Sequence, residues 1–108
     1  MALTSTQLTD FFTSIYTSTD DSATTVIYLC NTSSNAVFVT VCLVPRSTVA
    51  DDQLNAIYYN IPISSNDTYI IDTEKIILEH GDSIQARINS GYVLGITKVI
   101  ATVSSISI

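Results

Sequence analysis

A chain of 108 residues with 46% hydrophobic content holds one packed core and leaves no room for two ordinary domains. Ten acidic residues against four basic ones give a net charge of −6, with Arg46, Lys75, Arg87 and Lys98 far apart, which argues against direct contact with nucleic-acid phosphates. No stretch approaches the roughly 20 apolar residues that cross a bilayer as a helix, and Met1 to Gln7 lacks the basic start and apolar run of a secretory signal, so synthesis and folding in a cytosol are expected.

The first twelve residues read as an N-terminal arm or short helix. Leu8, Phe11, Phe12 and Ile15 follow helical spacing, and Thr6 is placed to cap. Residues 13–108 read as one β-sandwich domain, because 29 Ser and Thr and 24 Val and Ile suit strands that are half buried and half wet. A short strand is expected at Thr13 to Thr17, followed by a polar turn over Ser18 to Ser22. From Ala23 to Asn31 the residues alternate, yet neither Val26, Tyr28 and Cys30 nor Ile27 and Leu29 form a polar face. That pattern fits a central strand or one covered by a partner.

Asn31 to Asn35 is expected to turn the chain as a hairpin into a strand from Ala36 to Val44, ended by Pro45. In that register Cys30 lies opposite Val37 and Cys42 near Thr25, which separates the thiols and makes both packing cysteines. After a loop over Arg46 to Gln53, strands are expected at Ala56 to Ile61, Thr68 to Asp72 and Ile76 to Leu78. The Glu79-His-Gly-Asp82 turn is read as a hairpin into Ser83 to Ile88, with Ile84, Ala86 and Ile88 on one face. Val93 to Ile96 and Val99 to Val103 complete roughly eight strands, and alternation continues to Ile108. The spacing points to an all-β, two-sheet β-sandwich, with a jelly roll as a candidate topology.

Reactive chemistry is thinly represented. His80 is the only histidine, and neither a metal site nor a hydrolase triad forms from one turn histidine without converging partners. Asp72, Glu74 and Glu79 are the nearest approach to a carboxylate pair, but nothing in the sequence fixes their separation. Asp20-Asp21 and Asp51-Asp52 lack the ligand spacing of a calcium loop, and Gly91 to Gly95 is not a phosphate loop. No cofactor is expected. Interface candidates are Phe11 and Phe12, adjacent aromatics in the leading segment, together with Tyr58, Tyr59 and Tyr92. On a strand, Tyr58 and Tyr59 point to opposite faces.

Six segments carry a resemblance. Ile15-Tyr-Thr17, Ile27-Tyr-Leu-Cys-Asn31, Leu43-Val-Pro45, Ala56-Ile-Tyr-Tyr-Asn-Ile-Pro-Ile63, Asp67-Thr68 and Ile77-Leu-Glu-His-Gly-Asp-Ser-Ile-Gln-Ala86 resemble a group of small structural proteins of tailed bacteriophages, including those infecting cyanobacteria. The likeness covers residues 13–108, and its closest unit is Leu78, Glu79, Gly81, Asp82 and Ile84, where Leu78 and Ile84 anchor the arms of the turn. The Arg46 to Asp52 loop is less glycine-rich than that group leads one to expect. The resemblance implies a noncatalytic virion protein, with head decoration or capsid cementing as the leading role. Its implied partners are further copies of itself and the major capsid or other virion proteins. A neck, tail or fibre component with receptor or glycan binding is the alternative, and a hydrolase ranks third.

Overall fold

The computed structural model describes residues 2–72 and 75–108. Among these described residues nine strands follow in order: β1 Ala2–Gln7, β2 Thr13–Thr17, β3 Ser22–Asn31, β4 Val37–Val44, β5 Ala56–Ile63, β6 Asp67–Ile71, β7 Ile76–Leu78, β8 Ser83–Ser90 and β9 Val99–Ser107. The chain behaves as one ribbon folded back at the β4–β5 connection. β4 pairs with β5, β3 with β6 and β7, β2 with β8, and β1 with β9, all antiparallel. Further pairing of β3 with β9 and of β4 with β8 rolls the ribbon into two sheets. Sheet A has the order β1-β9-β3-β6, with β7 also on β3, and sheet B the order β2-β8-β4-β5.

β6 and β7 pair with consecutive stretches of β3, Asn31 to Ile27 and then Thr24 to Ser22, so they are two halves of one edge strand. Counted that way, eight strands form a jelly roll, one topology of the expected sandwich. Between the sheets, Ile27 and Leu29 of β3 and Val99, Ala101 and Val103 of β9 meet Val37, Val39 and Val41 of β4 and Ile84, Ala86 and Ile88 of β8. Each larger side chain in that layer contributes about 1.5–3 kcal/mol through removal from water.

Four sequence expectations are corrected. The segment read as an arm or short helix is strand β1, paired residue for residue with β9 over Ala2 to Gln7, before a crossover carries Leu8 into the core. Its apparent helical spacing arises because Leu8 and Ile15, both fully buried, belong to the crossover and to β2. The Asn31 to Asn35 and Glu79 to Asp82 turns are not hairpins, since β3 and β7 lie in sheet A while β4 and β8 lie in sheet B. Cys30 and Cys42 therefore sit on different sheets as free thiols, separated by the sandwich rather than by hairpin register. Finally, Val93 to Ile96 is a turn, closed by Ile96 N–H donating to the Val93 carbonyl at 3.0 Å, with Gly95 inside it at φ 81° and Gly91 before it at φ 91°.

Asn31 fastens the two sheets at one end. Its buried amide donates to the carbonyls of Asn35 at 2.9 Å, Ile63 at 3.1 Å and Ser64 at 3.3 Å, while its oxygen accepts from the backbone N–H and hydroxyl of Ser33. A sheet A strand end is thereby tied to the end of β5 in sheet B.

Candidate interaction surface

The outer face of sheet B is covered by the chain itself over β4, while Ile57 and Tyr59 on β5 stay exposed. Thr40 and Cys42 alternate with the core valines of β4 and should face water, yet both are fully buried. The loop over residues 45–55 covers Cys42, whose thiol lies 3.8 Å from the Asp51 carbonyl and is pushed up in pKa by burial, while the Thr40 hydroxyl accepts the Asn60 N–H of β5 at 3.2 Å. Within the loop, Asp51 accepts from Gln53 N–H at 2.8 Å, and its own N–H donates to Asn55 Oδ1 at 3.0 Å. Arg87, on the outward side of β8, clamps the loop through Asp52 at 2.5 Å and stacks its guanidinium 5.0 Å from the centre of the Phe12 ring.

Among the described residues no comparable loop lies over sheet A. Its outward rows are Leu3, Ser104 and Val26; Ser5, Thr102, Tyr28 and Ile70; Gln7, Ile100, Cys30 and Thr68; and Ile106, Ala23 and Ile77, of which Ser104 and Ala23 are buried. Leu3 is 70% exposed, Ile77 61% and Ile70 51%, and Tyr28 is also open. Strands β1, β3, β7 and β9 contain no charged residue, and Asp67 at the start of β6 is the sheet's one charge. Four strands spaced by ~4.8 Å and up to ten residues long at ~3.3 Å each give a face of roughly 600 Å². That approaches the roughly 800 Å² per partner of a standard protein interface, and its exposed apolar residues are interspersed with the hydroxyl and amide side chains of Ser5, Gln7, Thr68 and Thr102. The absence of a polar face in residues 23–31 is the sequence signal for this surface. Its extent across β1, β6, β7 and β9 requires the strand order.

The five aromatic candidates separate into three places and different states. Phe11 is 77% exposed on the β1–β2 crossover and, with Thr9, Asp10, Tyr92 and Leu94, lines an open depression at the end of the sandwich. Phe12, its neighbour, is held under Arg87 on the sheet B side. Tyr58 packs edge-on against Tyr69, ring centres 6.5 Å apart, where β5 and β6 close the gap between the sheets, while Tyr59 points outward at 63% exposure. Val93, Leu94 and Ile96, which sequence pattern alone assigns to a strand, add exposed apolar surface beside Phe11.

At the opposite end, His80 and Asp82 are engaged in turn architecture. His80 Nδ1 lies 2.6 Å from the Thr19 carbonyl. The Asp82 carboxylate accepts N–H groups from Arg46 at 2.9 Å and Glu79 at 3.0 Å, and these bonds hold its pKa below the usual carboxylate range. Gly81 is required here: at φ 91°, a Cβ would also meet Arg46 Cδ at 2.5 Å. With Asp21 and Glu79 these residues rim an open polar depression. No group of three potential metal ligands occurs among the described residues. Of the carboxylates singled out in the sequence, Asp72 lies between β6 and β7, Glu79 follows β7, and Glu74 is outside the described residues. Comparisons of the chain with known protein families, curated proteins and solved structures give no match.

Proposed function

We propose that this protein is a noncatalytic structural component of a phage virion, and that it works as a head decoration or capsid cement protein. The observation that carries the structural part of this reading is the bare, uncharged outer face of sheet A, set against the self-covered face of sheet B. Such a face suits docking on a shell protein, while the acidic loops at the sandwich ends maintain solubility before assembly. The motif resemblance over residues 13–108 supports the phage assignment. Commitment of His80 and Asp82 to backbone partners favours a structural over a catalytic use of that end. The proposal includes contact with further copies and with major capsid or other virion proteins, without direct contact to nucleic acid or membrane.

A density map of the intact assembly that resolves copy number and contacts tests this reading. Many copies seated on the shell through Tyr28, Ile70 and Ile77 support it, and a shell without this chain overturns it. A neck, tail or fibre component that binds a receptor glycan is the second reading. It is favoured by the exposed depression where Phe11 and Tyr92 stand beside the Asp10 carboxylate, an aromatic wall with a polar neighbour. Location at a vertex or fibre, with sugar-dependent shifts of the Phe11 and Tyr92 resonances, would select it.

A further inference from the structure

We infer that β1 is a strand-pairing edge for a second copy of this chain, joining two sheet A layers into one continuous sheet. The inference rests on backbone geometry and stands apart from the virion assignment. Antiparallel ladders direct the N–H and C=O of alternate residues to opposite sides. Leu8 N–H donates to the Val99 carbonyl at 2.9 Å, and the register continues without a shift through Thr6 with Ala101 and Thr4 with Val103. The even residues thus face β9, so the N–H and C=O of Leu3, Ser5 and Gln7 face the open edge. No strand lies beyond them among the described residues, and all three are exposed.

The other three sheet edges each carry an interruption of the kind that blocks strand addition. β2 is bulged between Ser14 and Tyr16. β5 has register shifts on both sides of Val41, Asn60 at φ 59° and Pro62, which has no N–H. The β6/β7 edge is broken between Ile71 and Ile76. Only β1 is unbroken, and it carries no charge, proline or glycine.

A second copy fits this edge better than an arbitrary peptide. Two chains of net charge −6 repel unless they meet through neutral surface, and β1 is neutral throughout. A two-fold axis through Ser5 sets Ser5 against Ser5, Thr4 against Thr6 and Leu3 against Gln7. Hydroxyl residues then face one another across the strands, a favourable cross-strand combination, and each open residue finds an open partner. Because that axis is perpendicular to the sheet, both bare outer faces end on the same side, doubling the apolar platform offered to a larger partner.

The test uses the full chain in sedimentation equilibrium up to millimolar concentration. Ser5→Pro removes the outward N–H while leaving the bonds to β9, and is expected to abolish the dimer. Ser5→Ala loses the same hydroxyl contact to Thr102 but keeps the N–H, so its dimer should persist. In a Cys30→Ser background, Ser5→Cys places two thiols across the axis at a Cα separation of about 5.5 Å, within disulfide range. Mild oxidation should trap a covalent dimer. If circular dichroism shows Ser5→Pro unfolded, the trap alone decides. A chain that stays monomeric, a folded Ser5→Pro variant that dimerises like the parent, or a dimeric Ser5→Cys variant that fails to crosslink overturns the inference.

Discussion

Cys30 and Cys42 are the same residue type on the outer faces of the two sheets, and their surroundings differ completely. Cys42 is fully buried beneath the 45–55 loop, whereas Cys30 is partly exposed between Ile100 and Thr68 on the more open face of sheet A. Sheet B finishes its burial within the chain, through the loop, the Asp52–Arg87 pair and Phe12. Sheet A leaves much of its outer layer open, and that layer is the one proposed to meet a partner. Apolar residues on both faces of a strand therefore have two physical meanings, and only the tertiary arrangement tells them apart.

The sharpest way to break this contrast is to place one charge on each face. Cys42→Lys buries an ammonium under the loop and should destabilise the monomer by roughly 3–5 kcal/mol. Cys30→Lys should shift monomer stability by less than about 1 kcal/mol while preventing assembly. Urea unfolding of the two variants measures the difference, and equal losses would dissolve the comparison. Next in size is Asn31→Ala, which strands buried carbonyls where the two sheets are tied together and should lose about 2–4 kcal/mol. Asp52→Ala leaves a partly buried guanidinium without its partner and loosens the loop. A loss of about 1–2 kcal/mol is expected, between the values for exposed and buried pairs, with Cys42 becoming alkylatable.

The smallest effect on the monomer is expected from Tyr28→Lys with Ile70→Lys, within about 0.5 kcal/mol. This double variant should nevertheless lose binding to the proposed assembly, since its charges lie on the face proposed to dock. Acid provides a separate check on the end of the sandwich where the loop begins. Because backbone N–H groups of Arg46 and Glu79 lower the folded-state pKa of Asp82, its stabilisation is complete above the unfolded carboxylate value of about 4. It disappears as pH falls through the lower folded value. A melting-temperature profile against pH should accordingly flatten on its acid side in Asp82→Asn.

Much of the strand content is legible in the sequence because alternation is a local property. Ile84, Ala86 and Ile88 share one face by pattern and are all in the core, and Leu78 and Ile84 do anchor the Gly81-Asp82 turn. The destination of each turn is not legible. Local turn chemistry is the same whether a chain reverses within a sheet or crosses to the other one, so residues 31–35 and 79–82 both read as hairpins. The Leu8 to Ile15 spacing misleads for a related reason: a crossover and a strand start together imitate a helical stripe. Gly91 and Gly95, which in the sequence mark only the lack of a phosphate loop, set the turn that keeps Val93 to Ile96 out of the sheet. Among the surface candidates, Phe11 and Phe12 are inseparable by sequence, because what distinguishes them is Arg87, distant in the chain and adjacent in space.

The most direct measurement of the central claim is the alkylation rate of Cys30 in the dispersed protein and in its assembled state, with Cys42 as the internal reference. If the outer face of sheet A is the docking surface, Cys30 reacts in the dispersed chain and becomes protected on assembly, while Cys42 stays unreactive in both. An assembled particle in which Cys30 reacts as fast as in the free chain would contradict it.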